Sequence, residues 1–175
     1  MELAVAIGLI EKGVDKTSAP QVWADLGAGK GLFTRALASQ LHAGSTVYAL
    51  DKVATALAEI ELPSPLITLK KIQKDFIRDE IAPEPLDGII MANALHFVEN
   101  KIAFLKRIRK KLRPSGRLIV VEYDLHLANA WVPYPVHFSA LEKLAKDEGF
   151  TDVVKLEETP SLYNRANIYS AVILY

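Results

Sequence analysis

Short apolar runs alternate with segments whose apolar residues recur every three to four positions along most of this chain. The runs predict seven strands. They span Gln21–Leu26, Thr46–Leu50, Leu66–Ile72, Leu86–Ala92, Leu118–Val121, Val153–Leu156 and Ile168–Leu174. Strands that alternate with helices are typical of βαβ units, so the pattern predicts a three-layer α/β fold with a mostly parallel sheet.

Helical spacing predicts the segments that cover this sheet on both faces. Three of them are Leu3–Ile10, Val53–Ile60 and Phe138–Ala145. Two more helices are recognised by the residues on their apolar faces, which are Leu32, Phe33, Ala36, Leu37 and Leu41 in one, and Ile102, Leu105, Ile108 and Leu112 in the other. Residues that break helices are placed to end three of them, namely Gly44, Pro114 with Gly116, and Gly149.

The connection between the last two strands indicates a change of direction. Glu157–Asn167 contains Pro160 and several loop formers but no helical pattern. A parallel crossover needs roughly a dozen or more residues and usually a helix. We therefore expect the last strand to be antiparallel and inserted beside the fifth strand.

Composition limits the classes of protein that remain. The 175 residues suffice for one α/β domain over 1–175, and acidic and basic residues balance at 21 each. This balance gives no global electrostatic reason to expect nucleic acid as a partner. The absence of cysteine excludes disulfides and thiolate metal sites, and no His–His–carboxylate spacing predicts a metal. The Ala4–Ile10 run is too short to cross a bilayer, and Glu2 stands where a secretory leader is basic, so we expect a cytoplasmic location without membrane contact.

A glycine-rich turn follows the first predicted strand. Gly27, Gly29 and Gly31 let the backbone turn tightly and approach a ligand with no side chain in the way. The dinucleotide fingerprint requires its third glycine one position later, where Leu32 stands. The glycines could also serve close packing between strand and helix.

Asp25-x-Gly27-x-Gly29-x-Gly31 instead resembles motif I of the class I S-adenosylmethionine-dependent methyltransferases. Tyr48–Asp51 is similar to motif II of that family, whose acidic residue binds the ribose hydroxyls, and Lys74–Phe76 to its adenine-binding segment. Leu86–His96 resembles motif IV, and Leu112–Gly116 resembles the turn into strand five, with Ser115 replacing a glycine. The small, minimal-core bacterial and archaeal members, types 11 and 12, are the most similar.

This resemblance implies S-adenosyl-L-methionine as cofactor and methyl transfer as activity. The cofactor-binding residues that it implies are Asp25, Gly27, Ala28, Gly29, Gly31, Asp51, Lys52, Asp75, Phe76, Asn93 and Ala94. Simpler structural roles stay open: Asp51 could cap the following helix, Asp75 a turn, and Asn93 could be an ordinary strand-end residue.

The methyl acceptor should be bound by the segments that least resemble the family. Tyr123–His137 follows strand five and contains His126, Trp131 and Tyr134, which we predict to roof an acceptor pocket facing His96. Trp131 could equally pack on the core. The helix Leu3–Ile10 is the other candidate wall, and His96 or His126 is the candidate general base for an oxygen acceptor.

Eight basic residues and no acidic one lie between Lys101 and Arg117. They could bind RNA, but they also fit the solvated face of a helix, which we favour. A small-molecule acceptor is therefore expected, with methylation of RNA or protein as the alternative. A nicotinamide-dependent oxidoreductase and a catalytically silent cofactor-binding module also stay open, as does the oligomeric state.

Overall fold

A computed structural model describes residues 1–81, 85–161 and 166–175. Its strands are β1 Val22–Leu26, β2 Thr46–Asp51, β3 Thr68–Gln73, β4 Leu86–Ala92, β5 Leu112–Tyr123, β6 Asp152–Pro160 and β7 Asn167–Leu174. They form one seven-stranded sheet in the order β3-β2-β1-β4-β5-β7-β6. The strands from β3 to β5 in this order pair in parallel, whereas β7 is antiparallel to both β5 and β6. The predicted sheet and the antiparallel insertion of its last strand are confirmed.

Helices cover both faces of the sheet. They are α1 Leu3–Ile10, α2 Leu32–Ala38, α3 Ala54–Ala58, α4 Lys101–Lys111 and α5 Phe138–Asp147, with a 3₁₀ turn at Leu95–Phe97. The buried side chains of α1 and α2 share one hydrophobic cluster, and those of α4 and α5 share another on the opposite face. No helix in the described ranges is long and apolar enough to cross a membrane.

The largest difference from the sequence-based elements lies at the start of β5. We predicted that Leu112 belongs to the preceding helix, which would end at Pro114 and Gly116, but α4 ends at Lys111 and Leu112 pairs with Leu86. Proline has no N–H for a helical hydrogen bond and favours an extended residue before it, so the chain leaves the helix early. Ser115, with a φ of 67°, then accompanies a register shift in the pairing.

The boundaries of three other elements also differ from those predicted from the sequence. The third strand begins at Thr68 rather than Leu66, and α3 is shorter than the predicted Val53–Ile60. The sixth strand runs on to Pro160 because β7 offers it partners as far as the pair Pro160 and Asn167. Pairing that depends on a distant strand is not visible in local hydrophobic spacing.

Candidate functional site

The glycine turn between β1 and α2 lies at the carboxyl edge of the sheet. The N–H groups of Gly27 and Ala28 both donate to the carbonyl of Leu50, at 2.9 and 3.0 Å, which fixes the turn against the end of β2. Gly27, Gly29 and Gly31 all have positive φ values, of 79°, 52° and 79°. These conformations are accessible to glycine at no steric cost.

The three glycines are required for different reasons. A Cβ at Gly27 would lie 2.9 Å from the Cβ of Ala94, and one at Gly31 would lie 2.6 Å from Ile60. These two positions therefore fit the packing interpretation. A Cβ at Gly29 would meet nothing within 4 Å. Gly29 is the glycine that leaves open space beside the backbone, as a ligand cradle requires.

Asp51 connects the glycine turn to the start of α3. Its Oδ2 accepts the N–H of Gly29 at 2.8 Å, and its Oδ1 accepts the N–H of Val53 at 2.8 Å. Asp51 does not cap α3, because the N-cap residue is Val53 and Asp51 accepts only the N–H of Val53 itself. Two bonds leave lone pairs on both carboxylate oxygens, since a carboxylate offers about four acceptor sites. These contacts therefore leave Asp51 able to accept hydrogen bonds from a ligand.

A cavity of about 170 Å³, here called the glycine-turn cavity, lies beside these residues. Its lining residues are Gly27, Asp51, Lys52, Lys74, Asp75, Phe76, Ile77, Asn93, Ala94 and Phe97. The structure thus brings together residues from the ends of β1, β2, β3 and β4. Ile77 and Phe97 are lining residues that sequence reasoning missed, although Ile77 directly follows the predicted Asp75 and Phe76. Lys74 belongs to the segment that resembles the adenine-binding one but was not itself named as a binding residue.

Four predicted cofactor residues lie outside the lining of this cavity, namely Asp25, Ala28, Gly29 and Gly31. Asp25 is only 1% exposed, and its Oδ2 accepts the hydroxyl of Thr34 at 2.6 Å. Burial raises the pKa of Asp25 to about 7, the Thr34 hydroxyl opposes this, and the charge of Asp51 adds to it. The hydrogen bond between Asp25 and Thr34 therefore connects β1 to α2. Direct contact between Asp25 and a cofactor stays a prediction.

Asp75 caps a turn after β3. Its Oδ1 accepts the N–H of Ile77 at 3.0 Å, while its own N–H donates to Asp79 Oδ2 at 2.9 Å. Asp75 and Ile77 also line a larger cavity of about 570 Å³ between this turn and α4, here called the α4 cavity. Asp75 therefore both caps this turn and lines the glycine-turn and α4 cavities.

Asn93, directly after β4, adopts a φ of 52°. Its N–H donates to the carbonyl of Val121 at 2.8 Å, whereas its buried Oδ1 has no hydrogen-bond partner among the described residues. A buried polar atom without a partner is costly, and such atoms are enriched where a ligand is missing. Asn93 also lines a second cavity, of about 450 Å³.

This second cavity, here called the α1 cavity, joins the N-terminal helix to the end of the sheet. Its lining residues are Met1, Glu2, Val5, Asn93, Tyr123, Thr159, Pro160 and Ile168. They come from α1 and its N-cap, the end of β5, and the β6–β7 pair. The sequence-based proposal that Leu3–Ile10 walls an acceptor pocket is consistent with this position.

His96 is anchored in the core. It is 3% exposed, its Nδ1 lies 2.7 Å from Glu122 Oε2, and its backbone N–H donates to Glu122 Oε1 at 3.1 Å. It lines none of the described cavities. This geometry favours an anchoring role, and the assignment of His96 as a base stays a prediction without a contact that supports it.

Glu122 was not singled out from the sequence, although it is a lone acid after the apolar run Leu118–Val121. It is 1% exposed and holds the 3₁₀ turn after β4 against the end of β5. Burying a charged side chain is costly unless it is paired, so an acid at the end of a buried strand was the signal available.

The segment after β5 does not form the predicted roof. Trp131 is 82% exposed, which also argues against a packing anchor. The exposed ring of His126 stacks on His137 with ring centroids 4.1 Å apart. Neither Trp131 nor His126 lines a described cavity, whereas Tyr134 lines the α4 cavity and donates its N–H to the carbonyl of His96 at 3.1 Å. Only Tyr134 reaches His96, and it does so through the backbone.

No group of three or more His, Asp or Glu side chains in the described ranges is arranged to hold a metal ion. The unpartnered Oδ1 of Asn93, the open space at Gly29 and the free lone pairs of Asp51 are features that a polar organic ligand would satisfy. Such a ligand would offer hydroxyl or amine donors, and Phe76 and Ala94 provide apolar contacts for the rest of it.

Comparison with known proteins identifies the family. Residues 24–120 match the family model described as a methyltransferase domain, so the chain belongs to that family. It is an S-adenosylmethionine-dependent methyltransferase, as the resemblance of its motifs implied. A search of curated proteins finds no significant match.

Solved structures share the fold at low sequence identity. An S-adenosylmethionine-dependent methyltransferase from Listeria monocytogenes is 16% identical, with a TM-score of 0.72 over 99% of this chain and 100% of that one. Phosphoethanolamine N-methyltransferase 2 from Haemonchus contortus, in complex with S-adenosyl-L-methionine, is 15% identical, with a TM-score of 0.75 over 98% of this chain and 52% of that one. The 1,6-didemethyltoxoflavin-N1-methyltransferase from Burkholderia thailandensis is 20% identical, with a TM-score of 0.70 over 98% and 77%.

Proposed function

We propose that this methyltransferase acts on a small molecule that binds in the α1 cavity, next to a cofactor bound in the glycine-turn cavity. The observation that carries the proposal is the position of Asn93, which lines both cavities. Ligands of open α/β sheets bind at the carboxyl ends of the strands, which is where both cavities lie. A volume of about 450 Å³ is within the usual range for small-molecule sites.

Several residues in and beside the glycine-turn cavity are suited to hold parts of the cofactor. The bound cofactor supplies an electrophilic methyl group on a sulfonium. Asp51 has lone pairs left for two ribose hydroxyls, and Phe76 and Ala94 offer apolar contacts for a flat base. Gly29 leaves the backbone open to close approach. Orientation of the two reactants can supply much of the acceleration, since well-oriented groups reach effective molarities of roughly 10⁵–10⁸ M.

Two solved neighbours bind small molecules. The Burkholderia thailandensis enzyme was crystallised with 1,6-didemethyltoxoflavin and S-adenosylhomocysteine, and the Haemonchus contortus enzyme with phosphomonomethylethanolamine and S-adenosylhomocysteine. These two complexes support a small molecule as the class of acceptor, without indicating which molecule this chain methylates.

The basic segment from Lys101 to Arg117 gives little support to RNA as the acceptor. Many of its cations already have partners in the protein, among them Lys111 with Glu80, Arg113 with Asp87 and Arg117 with Asp15. Paired cations contribute less to a field that attracts phosphates. Nucleic acid as partner is therefore not favoured, and a cytoplasmic location stays the expectation from the sequence.

Ligand binding and cavity blocking together test the proposal. S-adenosylhomocysteine at 100 times its Kd should stabilise the fold by about 2.7 kcal/mol, whereas NAD and NADP should not shift the melting midpoint. Val5→Trp should fill the α1 cavity, so we expect unchanged S-adenosylhomocysteine affinity and no turnover of any acceptor found by screening for S-adenosylhomocysteine release. Unchanged turnover in Val5→Trp would remove the α1 cavity from the proposal.

A further inference from the structure

Arg107, on α4, contacts the segment that follows β3 through the backbone of that segment. Its Nη2 donates a hydrogen bond to the carbonyl oxygen of Phe76. Among the described residues, the other hydrogen bonds of residues 75–79 join members of this segment to one another, as between Asp75 and Asp79. The bond from Arg107 therefore connects a turn that is otherwise bonded internally to a helix packed on the sheet.

The same helix also contacts the ring of Phe76. Phe104, one helical turn before Arg107, meets this ring edge to face, with centroids 6.0 Å apart and an interplanar angle of 70°. The guanidinium of Arg107 lies over the Phe104 ring, with its Cζ 5.2 Å from the ring centroid. Both geometries are favourable for aromatic rings. Two residues of α4 thus hold Phe76, one at its carbonyl and one at its ring.

Phe76 forms part of the wall of the glycine-turn cavity. Its Cε1 lies 3.3 Å from the position that a Cβ would take at Gly27, so the ring reaches the glycine turn itself. Arg107 lines the α4 cavity and is not among the residues that line the glycine-turn cavity. A ligand in the glycine-turn cavity would therefore contact Phe76, and Arg107 would act on that ligand through Phe76.

The charge of Arg107 is kept in a half-buried position. Burial lowers the pKa of Arg107 from its usual value, and the carboxylates of Asp75 and Asp79 oppose that shift. A guanidinium nevertheless stays protonated in proteins, so it remains a donor without an acceptor function. The two carboxylates belong to the same turn as Phe76, and their attraction adds to the hydrogen bond at the Phe76 carbonyl.

We infer that Arg107 is a positioning residue for the cofactor, because it fixes Phe76 in the wall on which the adenine ring lies. This inference rests on the function proposed above. A wall that is already in place reduces the entropy lost when a ligand binds. A protein without the contact should still fold and still offer Asp51 to the ribose, but it should bind the cofactor less tightly.

Arg107→Met tests the inference, since it removes the donors and keeps a side chain that can cover the Phe104 ring. We expect the affinity for S-adenosylhomocysteine, measured by calorimetry, to fall about threefold to tenfold, the scale of one hydrogen bond. Arg107→Lys keeps the charge and a donor, so it should recover part of the loss.

Arg109→Met is the matched control on the same helix. Arg109 also donates to a backbone carbonyl, that of Glu148 at 3.1 Å, and its Cζ lies 4.9 Å from the ring centroid of Tyr175. Each of the two arginines has a buried Nε without a hydrogen-bond partner among the described residues. Arg109, Glu148 and Tyr175 do not line the glycine-turn cavity. Urea titrations should show lower stability for both Met variants, and only Arg107→Met should lose affinity.

A double-mutant cycle with Phe76→Leu separates positioning from a general loss of stability. If Arg107 acts through the Phe76 ring, adding Arg107→Met to Phe76→Leu should lower the affinity no further. Coupling of this kind is expected for residues in contact, whereas independent effects add. Additive losses of affinity would overturn the inference.

The remaining outcomes are equally distinct. Wild-type affinity in a folded Arg107→Met, or an equal loss of affinity in Arg109→Met, overturns the inference and leaves the proposed function intact. If Arg107→Met does not fold, Phe104→Leu decides, because it removes the edge-to-face contact with Phe76 and keeps an apolar side chain. It should also weaken S-adenosylhomocysteine binding, and wild-type affinity there overturns the inference. If S-adenosylhomocysteine does not bind to the wild-type protein, the proposed function itself fails.

Discussion

Asp51 combines a structural role with a position in the lining of the glycine-turn cavity, where we propose that the cofactor binds. Because its two oxygens hold Gly29 and Val53, the carboxylate is oriented before any ligand arrives. Preorganisation of this kind reduces the entropy lost on binding.

Replacing Asp51 by alanine tests that role. We expect Asp51→Ala to weaken S-adenosylhomocysteine binding by about 1–3 kcal/mol, the scale of hydrogen bonds to a charged acceptor. Calorimetry on the folded variant measures the loss, and Glu59→Ala, at an exposed ion pair with Lys30, is the control. Unchanged affinity in a folded Asp51→Ala would take Asp51 out of the cofactor site.

Asp25 gives the fold a specific dependence on pH. Its pKa of about 7 lies above the ordinary value of 3.8, because burial favours the protonated form. Below about pH 4 the carboxyl is protonated in both folded and unfolded chains and contributes no difference. As the pH rises towards 7 the unfolded chain releases its proton first, so stability falls across this range and levels off above it.

Asp25→Asn should remove this dependence, since an amide oxygen can still accept the hydroxyl of Thr34. We expect wild type and variant to have similar unfolding free energies at pH 4. At pH 8 the variant should be more stable, by up to about 4 kcal/mol. Urea titrations at the two pH values measure the difference, and equal slopes against pH in both proteins would contradict the assignment.

Trp131 differs from Trp23 in burial, and the two make a matched pair. Trp131 is 82% exposed, so Trp131→Ala should change stability by no more than about 0.5 kcal/mol, as is usual at surface sites. Trp23 is fully buried, and Trp23→Ala should cost about 3–5 kcal/mol. Thermal melts of both variants compare them, and a large drop for Trp131→Ala would restore the packing interpretation.

At the scale of elements, the bond between Glu122 and His96 fixes the segment that follows β4. Asn93, Ala94 and Phe97 in this segment line the glycine-turn cavity. Glu122, at the end of the neighbouring strand β5, therefore positions one wall of the glycine-turn cavity through His96.

Glu122→Ala should lower both stability and cofactor affinity. It leaves two buried donors of His96 without an acceptor, at a cost of about 1–3 kcal/mol each. Glu122→Gln keeps a carbonyl oxygen for the backbone N–H and should recover part of the loss. Denaturation and S-adenosylhomocysteine calorimetry provide the two readouts. Wild-type affinity in Glu122→Ala would mean that the pair serves stability alone.

The β7 strand contributes to the sheet from an interior position, between β5 and β6. Deleting residues 168–175 removes the pairing of both neighbours, so we expect no cooperative unfolding transition. Deleting only Tyr175, which lies outside β7, should leave a folded protein. Circular dichroism during heating distinguishes the two, and a cooperative melt of the longer deletion would show that the sheet closes without β7.

At the scale of the whole molecule, the sequence was sufficient to predict those features that depend only on residues close together in the chain. Apolar runs located the seven strands, and Gly27, Asp51, Asp75 and Asn93 could be placed at the edge of the sheet because each lies at the carboxyl end of a strand or within two residues of it. Features built from distant segments were not found. Glu122 meets His96 across 26 positions, and the α1 cavity combines α1 with β6 and β7. The start of β5 was misplaced because Pro114-Ser115-Gly116 resembles a turn when its partner strand is unknown.

The interior position of β7 in the sheet also constrains how the protein folds while it is being synthesised. Its neighbours β5 and β6 both leave the ribosome before it. β5 can already pair with β4, but β6 has no strand to pair with until β7 has emerged. Until then the nascent chain carries the edge of β5 that β7 will cover. Unpaired strand edges attract other chains. We therefore expect ribosome-bound intermediates of this enzyme to depend on chaperones until β7 has emerged.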